Sequence, residues 1–128
     1  MNKRFETQAA TIGSNSSRVV EVRFKIGHML TIGSLSEVMD VHIAHFNEEP
    51  HDLIMVAPAH MDFEVDVMHH DHCKRDQTPV AITSLTWVAN SRTNQKLIEL
   101  YYKYHPSRLP LRVFQDEEEA QKWLAEAA

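Results

Sequence analysis

The sequence predicts an α/β domain in which short apolar strands alternate with amphipathic helices around one sheet, and three observations carry that expectation. Leu53 to Ala57 is an unbroken apolar run closed by Pro58, the pattern of a strand covered on both faces. Ser34-Leu35-Ser36-Glu37 has the spacing of a capping box, in which a hydroxyl and a glutamate satisfy the first helical N–H groups reciprocally. Asn90 to His105 and Asp116 to Ala127 repeat apolar residues every three to four positions. At 128 residues the chain fits a single domain, residues 1–128, and residues 1–4 are the stretch expected to lack order.

The elements follow in order. Val20, Val22, Phe24 and Ile26 alternate with Glu21, Arg23 and Lys25, a period-two strand. Phe5 to Gly13 reads as a second extended stretch, joined to the first by Ser14 to Ser17 in an antiparallel hairpin. The helix that opens at Ser34 places Leu35, Val38, Met39, Ile43 and Phe46 on its apolar face and ends near Asn47 to Pro50. Glu37, Asp40 and His45 fall on its polar side.

After Leu53 to Ala57 the segment Met61 to Met68 is ambiguous. Met61, Phe63, Val65 and Val67 alternate with Asp62, Glu64 and Asp66 as a strand does. A helix from about Asp62 to Cys73 fits the chain order better, because neighbouring parallel strands need a crossover. Val80 to Ile82, after Pro79, and Leu111 to Phe114, after Pro110, read as buried strands. Leu97, Ile98, Tyr101 and Tyr104 form the stripe of one late helix; Ala120, Trp123, Leu124 and Ala127 form that of the other. Asp116 and Glu119 make a second capping box, with an acidic first turn suited to the positive end of the helix dipole.

Composition narrows the function. Thirteen Lys and Arg against 18 Asp and Glu give a net charge of −5, so no general attraction to nucleic acid or anionic lipid is expected. The one cysteine, Cys73, excludes an internal disulfide, and no apolar run approaches the roughly 20 residues of a membrane span; both point to the cytoplasm. Three glycines leave no phosphate-binding loop or dinucleotide fingerprint, and no Gly-x-Ser-x-Gly elbow occurs. Neither catalysis nor a cofactor is expected.

The order β-β-α-β-α-β-α-β-α resembles the STAS-like superfamily, named for sulphate transporters and anti-sigma factor antagonists. The tail carries the distinctive part: Tyr102-Lys103-Tyr104-His105-Pro106, then Leu109-Pro110-Leu111-Arg112-Val113-Phe114, then Asp116-Glu117-Glu118-Glu119-Ala120 and Trp123-Leu124. It is similar to the close of small bacterial STAS-like proteins, where a proline-bounded strand leads to an acidic-start helix ending in Trp-Leu. The resemblance spans about Phe5 to Ala127. It implies a central mixed sheet of about five strands with helices packed around it, used in relatives to dock other proteins and sometimes to hold small or lipid-like ligands. Anti-sigma antagonists are switched by a phosphoserine in the loop after the buried strand. Here that loop reads Ala57-Pro58-Ala59-His60-Met61-Asp62, and no hydroxyl residue occurs between Pro50 and Gln77 to accept such a charge.

The reading is therefore a non-catalytic interaction or regulatory module. As a helix, Met61 to Met68 leaves Phe63 and Val67 opposite the core-facing stripe, an apolar patch that a homodimer would cover. Ser84 to Ser91 reads as a loop at the sheet edge where α/β proteins bind ligands, so Trp87 and Ser91 join His60, Met61, Phe63 and Val67 as the expected contact residues for an unknown protein partner. The alternative is a small-molecule or lipid pocket lined by Trp87 and Tyr101. A third reading uses His69, His72 and Cys73, at metal-ligand spacing on a helix. Of the nine histidines, His42 falls on the apolar face of the first helix and is expected in the core, whereas His51 falls in a loop where exposure is normal.

Overall fold

A computed structural model describes residues 3–14, 18–69 and 81–127. In chain order these form β1 (Lys3–Glu6), β2 (Ala10–Ser14), β3 (Val19–Phe24), α1 (Ile32–Phe46), β4 (His51–Val56), α2 (Val65–His69), β5 (Ile82–Val88), α3 (Arg92–Tyr104), β6 (Leu111–Phe114) and α4 (Glu117–Ala127). The strands make one mixed sheet in sequential order, antiparallel from β1 to β3 and parallel from β3 to β6. α1, α2 and α3 pack on one core cluster, through Leu35, Val67 and Tyr102 respectively, whereas α4 packs on the other.

The core divides accordingly. Leu35, Val38 and Met39 of α1 pack with Leu53, Met55 and Leu85, while Ala120 and Leu124 of α4 pack with Ile54, Val56 and Val88. Leu53 to Ala57 is buried throughout, as its unbroken apolar run predicts. Among the described residues no helix is long and apolar enough to cross a membrane.

The sheet has six strands rather than about five, because Phe5 to Gly13 folds back at Thr7. The Thr7 N–H donates to the Ala10 carbonyl at 2.8 Å, and its Oγ1 accepts from the Ala10 N–H at 3.1 Å. That hydroxyl competes with ladder pairing and closes a turn between two short strands, of which β1 includes Lys3 and Arg4. In β3, Val20, Val22 and Phe24 are buried as expected, but the strand ends there. Gly27, at φ 79°, turns the chain and leaves Ile26 86% exposed.

The first helix starts three residues earlier than its apparent capping box. Thr31 is the N-cap, its side chain accepting from Ser34 N–H at 3.0 Å while Ser34 Oγ accepts from Thr31 N–H at 2.8 Å. Glu37 instead accepts from the Gln8 N–H at 2.9 Å, tying α1 to the turn before β2. Thr31→Ala is therefore expected to cost about 1 kcal/mol in chemical denaturation, and Ser36→Ala a few tenths; equal losses would put the cap elsewhere.

Two further segments depart from the sequence reading. Ser84 to Val88, expected as loop, is most of β5. Asp52 Oδ1 accepts from both Thr83 Oγ1 (2.8 Å) and Ser84 Oγ (2.5 Å), so these hydroxyls are satisfied inside the sheet. The pairing slips between His51 and Asp52, a bulge that brings both hydroxyls within reach of one carboxylate. The helix expected from about Asp62 starts at Val65 and is described to His69, and Met61 to Glu64 contributes one isolated bridge rather than a strand. Phe63 bridges Leu30 in parallel, with Leu30 N–H donating to the Asp62 carbonyl and Glu64 N–H to that of Leu30.

β6 and α4 lie where expected. Asp116 Oδ1 accepts from Glu118 N–H at 3.4 Å, and Glu117 pairs with Arg23 of β3 at 2.6 Å, so the acidic first turn also fastens α4 to the sheet. Glu117 and Glu21 hold the Arg23 guanidinium more firmly protonated than usual. In α3 the stripe is shifted: Tyr104 is 72% exposed, while Tyr102 packs against the core and Asn94 is buried.

Candidate functional site

The carboxyl ends of β3, β4 and β5 open onto three loops, the edge at which open α/β sheets present their contact groups. Two asparagines fix it. Asn90, at φ 59°, a left-handed conformation that asparagine tolerates, donates from Nδ2 to the Ala57 carbonyl at 2.7 Å. Asn94 Nδ2 reaches the carbonyls of Pro58 (2.9 Å), Ala59 (3.3 Å) and Ala89 (3.3 Å). The proline-bearing loop after β4 cannot pair in the sheet, so these side chains supply the donors its carbonyls need. Asn94→Ala is expected to cost about 1–3 kcal/mol in thermal unfolding and to speed amide exchange around Ala57 to Ala59; an unchanged exchange pattern would show that the loop is held by something else.

Of the residues the sequence nominates, this edge brings together His60, exposed, Met61 and Phe63, half-buried against the core, and Ser91. The Ser91 hydroxyl caps α3, accepting from Asn94 N–H at 3.1 Å. Val67 is a correction: it is buried in the core, so the outward Phe63 and Val67 patch on which a homodimer was expected does not form. The extended start of the segment advances the phase of α2, which turns Val67 inward and leaves Val65 72% exposed. Trp87 lies within β5 rather than in a loop; it stacks on Phe24 (centroids 5.9 Å apart) and donates from Nε1 to the Tyr102 hydroxyl at 2.9 Å. Tyr101, the other expected pocket residue, packs edge-on against Tyr102 and beside His105.

His69 is exposed at the end of α2, and His72 and Cys73 lie outside the described residues. Among the described residues no group of three or more His, Cys, Asp or Glu is placed to hold a metal ion.

Sequence reasoning missed the large apolar groups that are exposed here. Met29 (52% exposed) precedes the bridging Leu30, Val65 follows the bridging segment, and Ile26 stands at the turn before them. Strand alternation sends Leu30 and Phe63 inward and their neighbours outward, so Met29 shares its side of the bridge with Asp62 and Glu64. With Asp66 on α2, three exposed carboxylates border the apolar residues. One signal was available: no lysine or arginine stands between Lys25 and Lys74, a stretch that holds nine of the 18 acidic residues.

A second polar feature lies under α1. His42 is fully buried, as its place on the apolar face predicts, and His51, which the sequence placed in a loop where exposure is normal, is buried too. Their Nε2 atoms are 2.7 Å apart, and His51 Nδ1 lies 2.8 Å from the Glu49 carbonyl. The carbonyl requires a proton on His51 Nδ1, so His51 Nε2 accepts and His42 Nε2–H donates. His42 Nδ1 is then an unprotonated nitrogen with no partner in a closed apolar site. Burial, reinforced by His51, pushes the His42 pKa from 6.5 down to about 4. The pair pins α1 to β4 in the neutral form.

This sheet order, with three helices on one core cluster and one on the other, defines a STAS-like α/β fold. The chain is similar over 97% of its length, at 8% identity and a TM-score of 0.50, to 92% of an uncharacterized protein of the DUF3478 family from Shewanella loihica PV-4, whose crystal structure has a SpoIIAA-like fold. The chain belongs to the family described as DUF7793, a domain of unknown function, which matches residues 17–128. No curated protein matches it.

Proposed function

We propose that the protein is a non-catalytic interaction module that binds another protein at the carboxyl edge of β3, β4 and β5. One observation carries this reading: Ile26, Met29 and Val65, three of the large exposed apolar residues, flank one backbone bridge that is held by the Leu30 and Glu64 N–H groups. Apolar side chains on a pre-ordered frame give up little conformational entropy on docking, which favours affinity. A partner other than a second copy fits best, because two-fold self-pairing through this patch would set Asp62, Glu64 and Asp66 against the same three carboxylates. The side chains expected to line an apolar ligand pocket, Trp87 and Tyr101, are engaged with Phe24, Tyr102 and His105, which weighs against ligand carriage.

Site-specific photo-crosslinking tests the reading. A photoreactive residue at Met29 is expected to capture one dominant protein in extract of the source cells, and the same group at the exposed Lys122 on α4 is not. Equal capture from both positions would sink the edge as the docking surface. Crosslinks only between copies of the chain would replace it with the homodimer.

A further inference from the structure

Resting on that reading, we infer that the segment docked at this edge is basic and amphipathic, with apolar anchors for Ile26, Met29 and Val65 and cations for the carboxylates beside them. Asp62, Glu64 and Asp66 are exposed, and no described residue from 26 to 69 is a lysine or arginine that could neutralise them internally. Lys25, at the border, is paired with Glu6 at 3.1 Å. The asymmetry extends beyond the rim. Residues 26–73 hold nine acidic residues and no lysine or arginine, whereas the remaining 80 residues carry all 13 cations against nine acids. Complementary charge raises the encounter rate and rejects like-charged competitors, whereas the apolar contacts slow dissociation. A purely cationic chain would leave Met29 and Val65 facing water, and a purely apolar one would bury carboxylates without partners. The same negative rim disfavours nucleic acid and anionic membranes at this edge.

Two synthetic amphipathic helical peptides with identical leucine faces, one with a lysine polar face and one with a glutamate polar face, provide the probe. Calorimetric titration into the full chain is expected to show the lysine peptide binding at least about tenfold more tightly than the glutamate peptide. Both the Met29→Ser, Val65→Ser double variant and the Asp62→Asn, Glu64→Gln, Asp66→Asn triple variant are expected to weaken it about tenfold, with circular dichroism and melting unchanged because all five side chains are exposed. Equal binding of both peptides, lost in the serine variant but kept in the amide variant, overturns the basic partner and leaves the docking edge standing. Lysine-peptide binding indifferent to both variants overturns the inference and the edge together. No binding of the lysine peptide overturns the inference.

Discussion

Acidification from pH 7 to about 4 is expected to remove about 3 kcal/mol of folding stability through His42 alone. The unfolded chain takes up a proton on this imidazole near pH 6.5, whereas the folded chain resists until about 4. Between those values the unfolded state binds more protons, so stability rises with pH and is lost as pH falls; each unit of difference is worth about 1.4 kcal/mol. The physical cause is the unpartnered Nδ1 in a closed site, where a charge would have neither water nor a carboxylate. Urea unfolding of the native chain and of His42→Leu across this range checks it. The variant is expected to start less stable at neutral pH, because His51 Nε2 loses its donor, and to show a correspondingly shallower pH dependence. Parallel curves for the two proteins would mean that His42 is not the group being titrated.

Ile54→Ala is expected to cost about 2–5 kcal/mol, a large share of the roughly 5–15 kcal/mol that stabilises an ordinary domain. Ile54 is fully buried on the central strand β4 and belongs to the smaller core built by Ala120 and Leu124 of α4. That cluster has few other members, so the cavity cannot easily be refilled by neighbours. Val65→Ala, at a site open to water, is expected to stay within about 0.5 kcal/mol. Guanidinium unfolding of both variants makes the comparison. A loss below about 1 kcal/mol at Ile54 would show that α4 does not seal the second face of the sheet.

Both cores trace back to one legible segment. Leu53 to Ala57 reads as doubly covered because its apolar residues do not alternate, and the sheet covers it on both faces. The stripe of α4 and the burial of His42 were equally plain, since helical spacing assigns a face without reference to anything distant. The candidate site was legible only in part. His60, Met61, Phe63 and Ser91 gather at the carboxyl edge, but Ser91 is spent on a helix cap and Trp87 on Phe24 and Tyr102. The exposed members, Ile26 and Val65, fell within alternating patterns that continued on paper past the ends of the elements they seemed to join.

From the sequence alone came the α/β order, the family-like tail, the buried central strand and the apolar faces of α1 and α4, because each depends on spacing within one stretch of chain. Tertiary structure decided the rest: that Val67 turns inward and Val65 outward, that His51 is closed in by a residue on another element, and that Asp52 draws Thr83 and Ser84 into a strand. A switch from extended to helical backbone changes which side chains face the core, and a polar residue is buried only when a distant group completes its hydrogen bonds. Neither condition is written in the local sequence.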